Sequence, residues 1–517
     1  MSGNTASSIL VRGVNWIGDA VMTMPALWSV RKAFPDAPIS LLVKPSVAPV
    51  FERDPAVDEI ILYEDCFRTA FGRFKLAYRL RKKHFSKAIL LQNAFDAALL
   101  AFLAGIPERI GYDRDRRGFL LTHPVSFNGE DRKIHHIAYY LTLLKAVGMP
   151  VFYQQPWIRL SLDERRTARE RLAALPRPIL GINPGAAYGS AKRWLPQRFA
   201  EVAQWFIKDR GGGVVIFGGP KEAATAEEIE KLIGSEASGV GHRALLSLSG
   251  RTTVRELISL IAACDVLVTN DSGPMHLGYA VGTPLVTIFG STSPQLTGPV
   301  GYGNRIVRKG FSCGPCFERT CDTGDLRCMY TITSEEVFFT VKELLPKRPA
   351  VFFDRDGTLC RDAHYLKRWE DFELLPGVER LGVLKDAGFA LIGVSNQSGV
   401  SRGIVNEAFV KEVNRMFTEE FGFDAFYYCS HGPDDYCSCR KPEPGMLVRA
   451  RAEHGIDLQR SYLVGDKDDD MLTAKAAGAT AILVTTGKQQ SSAHADITVN
   501  SLDEAVRVIL RNEDGRD

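Results

Sequence analysis

No stretch of this chain is long and apolar enough to read as a membrane span. The most apolar one, residues 88–106, is broken by Gln92, Asn93 and Asp96 and predicts a strand followed by a buried helix. The opening residues, MSGNTASSIL, lack the basic start, apolar core and small-residue cleavage site of a secretory signal. A cytoplasmic location is therefore expected, with any contact at the cytoplasmic face of the inner membrane peripheral. Charge of one sign is also scarce: 64 Lys and Arg face 61 Asp and Glu, a formal net charge of +3 over 517 residues. With no long basic tract and no basic patch interleaved with aromatics, nucleic acid is not an expected partner. Two short basic clusters, at 79–83 and 114–117, are read either as solvated surface or as attraction to an anionic glycolipid. G-x-G-x-x-G and G-x-x-x-x-G-K-[ST] are both missing, which removes support for a dehydrogenase or a P-loop ATPase.

What is present is an ordinary globular balance, 45% apolar and 24% charged, and enough length for about three compact units. Short β-branched runs alternate with amphipathic segments throughout, the pattern of parallel sheets covered by helices. The fold class is therefore α/β. A first series predicts strands at 9–14, 39–43, 59–63 and 87–91, and a second at 179–183, 214–218, 266–270 and 285–290. A third, behind the polar linker 346–349, predicts strands at 350–354, 391–395, 462–466 and 481–485. The expected domains are 1–165, 166–346 and 350–510. In such sheets ligands lie beyond the carboxyl ends of the strands, so polar clusters directly after apolar runs are the candidate sites.

VFFDRDGT at 351–358 puts two carboxylates one residue apart at a strand end. Asp354 is suited to attack phosphorus, and Asp356 to protonate the leaving oxygen and then activate water. SNQSG at 395–399 offers the Ser395 hydroxyl and the Asn396 amide to a phosphoryl oxygen. Lys441, behind Arg440, can neutralise the phosphorus centre, and GDKDDD at 465–470 supplies Asp466 to share a magnesium ion with Asp354 and Asp356. This order resembles the haloacid dehalogenase (HAD) superfamily over about 350–508. Cys429, His431, Cys437 and Cys439 have the spacing of a tetrahedral zinc site directly ahead of Arg440. The whole assembly resembles the D-glycero-D-manno-heptose 1,7-bisphosphate 7-phosphatases, which implies heptose bisphosphate as substrate. Histidinol phosphatases share these motifs, so histidinol phosphate or another sugar phosphate is the alternative.

Ahead of this domain, two consecutive Rossmann-like units suggest a two-lobed transferase. NWIGDAVM at 15–22 follows the first strand; Asp19 there is either a general base or a first-turn carboxylate favoured by the helix dipole. NPGAAYGSAKRW at 183–194 brings Lys192 and Arg193 into a polar loop suited to a diphosphate, and NDSGPMH at 270–276 ends a strand and opens a helix whose free amides form an anion site. Together these motifs resemble the lipopolysaccharide heptosyltransferases, the second type in particular, over about 8–345. The resemblance implies a GT-B fold and inverting transfer from ADP-L-glycero-D-manno-heptose (ADP-heptose) to a lipopolysaccharide inner-core acceptor without a metal. It implies Asp19 as base, Lys192 on donor phosphate or acceptor, and Asp271, Ser272, Gly273 and His276 around the diphosphate. Glu222 is read either as a ribose ligand or as a solvated glutamate. A non-catalytic glycolipid-binding scaffold is the rival from a different class. Seven of the ten cysteines fall in two clusters, and a reducing compartment argues against disulfides. For Cys313, Cys316, Cys321 and Cys328, zinc, an iron–sulfur centre and plain reduced thiols all stay open.

Overall fold

The computed structural model of the chain describes residues 8–129, 133–236 and 244–514; residues 1–7, which carry most of the reading against a signal, lie outside them. The first sheet contains β1 (Ile9–Arg12), β2 (Ile39–Val43), β3 (Glu59–Leu62), β4 (Lys87–Leu90), β5 (Glu108–Tyr112) and β6 (His123–Val125), in the order β3-β2-β1-β4-β5-β6. The second holds β7 (Ile179–Asn183), β8 (Gly213–Ile216), β9 (Leu245–Ser247), β10 (Val266–Asn270), β11 (Leu285–Phe289) and β12 (Asn304–Arg308), in the order β12-β11-β10-β7-β8-β9. The third comprises β13 (Ala350–Phe353), β14 (Ala390–Asn396), β15 (Ala425–Cys429), β16 (Tyr462–Gly465), β17 (Thr480–Val484) and β18 (Ile497–Val499), in the order β15-β14-β13-β16-β17-β18. Every neighbouring pair runs parallel.

All three sheets obey one plan. The first strand is central, the next two extend to one side, and the remaining three to the other. The chain thus reverses direction between β1 and β4, β7 and β10, and β13 and β16, and the crevice outside such a reversal is where ligands of open α/β sheets sit. Central strands are buried on both faces, which is why they read as continuous apolar runs. In the third sheet, Val351 and Phe353 enter one core with Leu391, Tyr462 and Val464. Ala350 and Phe352 enter the opposite core with Ile392, Val394 and Leu463, as the two-residue period of a strand demands.

Helix ends follow local chemistry. Pro196 opens the helix Pro196–Arg210, where its missing N–H costs nothing, and Gly211 closes it at a φ of 61°. Thr253 and Glu256 form a reciprocal capping box at the start of Val254–Ala262.

Contacts divide the chain into two compact units, Met1–Leu160 with Thr167–Glu343 and Ser161–Arg166 with Leu344–Asp517. The two expected lobes therefore share one unit while keeping separate sheets. The expected linker at 346–349 is tied into the second unit: the Lys347 N–H donates to Gly455 O at 2.7 Å and the Asp457 N–H to Arg348 O at 2.9 Å. The apolar stretch 88–106 is the end of β4 followed by the helix Phe95–Leu103, which buries Ala97, Ala98, Leu100 and Ala101. Among the described residues no helix is long and apolar enough to cross a membrane.

Candidate active sites

In the third sheet, Asp354 leaves the end of β13 and Asp466 the end of β16, which are adjacent and parallel. Asp470 joins them from the first turn of the helix Asp468–Ala477. One carboxylate oxygen from each of the three lies within 4.8 Å of the others, and all three side chains are buried. Space is left for them by glycine: a Cβ at Gly357, whose φ is 100°, would fall 2.4 Å from Asp466 Oδ2. The like charges are held together by a buried lysine. Lys441 Nζ lies 2.7 Å from Asp354 Oδ1 and 2.5 Å from Asp470 Oδ1, and donates to Val394 O at 3.0 Å. Lys467 Nζ adds a second cation, 3.5 Å from Asp466 Oδ1 and 3.9 Å from Asp354 Oδ2.

Burial acts to raise the Asp354 carboxyl, yet the ammonium groups of Lys441 and Lys467 outweigh it and hold it below its usual range. Asp466 moves the other way, raised by burial and by the charge of Asp354. Burial likewise raises Asp470, against the pull of Lys441.

Asp356 was expected among the metal ligands and is not in this group. Its carboxylate is held elsewhere: Arg355 Nη2 donates to it at 3.1 Å, Gln397 Nε2 at 2.6 Å and Ser395 Oγ at 3.4 Å. Asp470 takes the third place, because the helix start directs it back toward Lys441. Asn396 also departs from expectation. Its amide donates to Lys441 O at 3.1 Å and accepts from the Lys441 N–H at 3.0 Å, so it anchors the lysine loop. Gln397 was not anticipated; its place two residues beyond Ser395, on the same face, was the available signal.

Cys429, His431, Cys437 and Cys439 converge as expected, their ligand atoms all within 4.8 Å of one another. Cys429 Sγ is 3.6 Å from Cys437 Sγ, and His431 Nδ1 is 3.2 Å from Cys439 Sγ. A tetrahedral zinc with bonds of about 2.0–2.3 Å asks for edges of about 3.3–3.8 Å; the Cys429–Cys437 and Cys429–His431 separations of 3.6 Å meet this and the His431–Cys439 separation falls just short of it, so this thiolate and imidazole donor set suits the ion. Arg440, the next residue, donates from Nη1 to His431 O at 3.5 Å. Cys313, Cys316, Cys321 and Cys328 form no comparable group among the described residues.

In the first unit, the helix Ile17–Ala33 follows β1 and carries Asp19 in its first turn, partly exposed and 3.6 Å from His136 Nδ1. Its neighbour Gly18 meets the second lobe: a Cβ there would lie 2.6 Å from His276 Cδ2 and 2.9 Å from His276 Nε2. His276 sits in the helix Gly273–Ala280, which follows β10 and Asp271. Its Nδ1 pairs with Tyr279 Oη at 3.1 Å, and burial pushes its pKa down to about 4 despite the nearby charges of Asp271 and Asp19. Lys192 Nζ binds Asp271 Oδ2 at 2.5 Å, the Thr292 hydroxyl donates to the same oxygen at 2.5 Å, and the ammonium lies 4.7 Å from the centre of the Tyr188 ring. Ser272 receives the Asn183 amide at 3.3 Å, joining the ends of β7 and β10. Glu222 packs against the loop after β7, where a Cβ at Gly185 would meet its Cγ at 2.6 Å. Gly18 and His276 thus meet across the two lobes, and Lys192, Asp271, Ser272 and Glu222 lie at the strand ends and loops of the second. His136 and Thr292 were missed, since nothing local marks them.

These two constellations agree with comparisons to known proteins. The sequence profile of glycosyltransferase family 9 (heptosyltransferase) matches residues 73–326, and a HAD-hydrolase-like profile matches 438–505. Over 311 residues the chain is 33% identical to lipopolysaccharide heptosyltransferase 2 of Escherichia coli K12, covering 58% of this chain and 87% of that protein. The chain belongs to glycosyltransferase family 9. Its C-terminal third belongs to the HAD-like heptose bisphosphate phosphatases, being 39% identical over 182 residues to D-glycero-beta-D-manno-heptose-1,7-bisphosphate 7-phosphatase of E. coli K12, 32% of this chain and 95% of that one. The solved structure of E. coli ADP-heptose heptosyltransferase II is 28% identical, with a TM-score of 0.56 over 65% of this chain and 98% of its own.

Two outcomes follow from the family 9 unit. Gly18→Ala forces a methyl group into the His276 imidazole and should lower heptosyl transfer by at least about tenfold, with phosphate release by the C-terminal unit unchanged in the same preparation. His276 has a folded pKa of about 4 against 6.5 unfolded, so the unfolded chain binds the extra proton between those values. Its contribution is fully present above pH 6.5 and is lost as pH falls toward 4, by up to about 3 kcal/mol. Denaturant midpoints of the wild type should fall across that window, and those of His276→Gln should fall less.

Proposed function

We propose that this chain is a bifunctional enzyme of lipopolysaccharide core heptose metabolism. Its first unit transfers heptose from ADP-L-glycero-D-manno-heptose to the inner core, and its second removes the C7 phosphate of D-glycero-D-manno-heptose 1,7-bisphosphate. The observation that carries this reading is the covalent union of two units, each similar over nearly the full length of its relative to an enzyme named for heptose chemistry.

In the phosphatase unit, an Asp354 oxygen attacks phosphorus while the bond from phosphorus to the sugar oxygen breaks, and Asp356 gives that oxygen its proton. Arg355, Gln397 and Ser395 hold Asp356 in place for this transfer. Asp356 then takes a proton from water, whose oxygen attacks phosphorus and frees the Asp354 carboxylate and inorganic phosphate. Lys441 balances charge at the phosphorus centre, and Arg440, the preceding residue, binds substrate in this reading. A magnesium ion fits the residues present: three buried carboxylates converge, and Asp466 Oδ1 is buried without a hydrogen bond. Asp354, Asp466 and Asp470 would hold it, and it would supply charge neutralisation for the phosphoryl oxygens. Zinc at Cys429, His431, Cys437 and Cys439 would fix the loop that carries Arg440 and Lys441.

In the transferase unit, Asp19 takes the proton of the acceptor hydroxyl as its oxygen attacks the anomeric carbon and the diphosphate departs, inverting that centre. Lys192 and the free amides at the start of Gly273–Ala280 receive the charge that grows on the diphosphate. Glu222, packed against the loop after β7, binds the ribose in this reading.

Asp354→Asn should abolish phosphate release from the heptose bisphosphate while leaving transfer from ADP-heptose intact, and Asp19→Ala should do the reverse. Faster phosphate release from histidinol phosphate than from the heptose bisphosphate would overturn the reading of the second unit. Cys439→Ser should lose bound zinc by elemental analysis and lower phosphatase activity, with heptosyl transfer retained.

A further inference from the structure

The first unit carries an exposed surface that neither active site uses. The helix Ala70–Arg81 buries Gly72, Leu76, Ala77 and Leu80 against its own lobe. Its opposite face is not polar alone. Phe71 is 81% exposed, Phe74 59% and Tyr78 62%, and positions 71, 74 and 78 fall on one face at helical spacing. Lys75 and Lys82 share that face, with Arg79 and Arg81 at its margins.

Charge there is strongly one-sided. Residues 66–95 contain eight Lys or Arg and no Asp or Glu. Arg73 is committed to Asp96 and Lys83 to Glu59. Lys75, Arg79, Arg81 and Lys82 form no ion pair among the described residues; Lys82 Nζ lies 4.6 Å from the centre of the Tyr78 ring and the Arg79 guanidinium 5.5 Å from that of Phe67. The adjoining helix Phe95–Leu103 exposes Phe95 and Phe102, and Phe119 is 77% exposed, its ring 6.2 Å from that of Phe95. In the linear sequence only the short basic cluster 79–83 stands out, because the aromatics are spaced about one turn apart and lie together only once the helix is formed.

We propose that this face docks the enzyme on an anionic lipid bilayer, with Phe71, Phe74 and Tyr78 entering the headgroup boundary and Lys75, Arg79, Arg81 and Lys82 meeting lipid phosphates. Aromatic side chains left in water beside unpaired cations are the composition of a helix lying in the membrane interface. The proposal rests on the transferase reading above, in which the acceptor is itself a lipid-anchored saccharide, so docking would bring the acceptor lobe to its substrate.

The test is sedimentation of the full chain with vesicles of equimolar phosphatidylglycerol and phosphatidylcholine, against vesicles of phosphatidylcholine alone. Wild type should bind the anionic vesicles, and K75E with K82E should lower the partition coefficient by at least about tenfold. F71S with F74S and Y78S should lower it comparably. Neither variant should change transfer to a lipid-free, water-soluble acceptor saccharide. Equal binding to both vesicle types, unchanged binding by both variants, or preference for single-stranded RNA over the anionic vesicles overturns the proposal. Failure of the wild type to transfer to the soluble acceptor would instead refute the transferase reading, which separates the two.

Discussion

The second unit is organised around an electrostatic conflict, three buried carboxylates brought within 4.8 Å of one another. Alone they would repel, and burial would strip them of the water that makes charge tolerable. Lys441 resolves the conflict by bridging Asp354 and Asp470 from its own buried position, and much of the surrounding structure serves to keep it there. Asn396 grips its backbone from the end of β14, Val394 accepts from its ammonium, and the cysteine and histidine cluster closes the loop immediately before it. A pair of this kind costs about 3–5 kcal/mol when one partner is removed, so the residues that position Lys441 matter to the fold as well as to phosphorus chemistry.

The first unit depends on a contact of a different kind. Gly18 in one lobe and His276 in the other approach so closely that a single methyl group does not fit between them. Around that contact lie Asp19 in the first lobe and the Lys192–Asp271 pair in the second. Burial keeps the imidazole neutral near pH 7, so His276 itself adds no positive charge there. The site is therefore assembled between two sheets, each contributing the carboxyl end of its central strand.

Fusing the two activities joins an early step of heptose supply to a late step of heptose use. In the reading proposed above, the phosphatase product is a sugar phosphate and the transferase donor a nucleotide sugar, so at least nucleotide attachment must intervene. Passage of one molecule directly between the sites has no chemical basis, and independent catalysis by the two units is the arrangement their separate residue sets support.

The central strands and their terminal motifs were legible from sequence because strands buried on both faces must be apolar throughout, and a switch-point site must follow such a run directly. That reasoning singled out the strand-end motifs around Asp19, Asp271, Asp354 and Asp466 as candidates; the roles of Lys192 and His276 came from the family resemblance, and the cluster at Cys429–Cys439 from ligand spacing. Six strands, β5, β6, β9, β12, β15 and β18, escaped it, since none of them is buried along its whole length as the central strands are. By itself the sequence determined which residue types stand at which strand ends, because apolar periodicity and motif order are local properties of the chain. Only the tertiary structure decided that Asp470 and not Asp356 completes the carboxylate group, that Asn396 holds Lys441, and that Gly18 rests on His276. Each of those outcomes depends on the distance between segments far apart in the chain, which packing sets and local pattern does not encode.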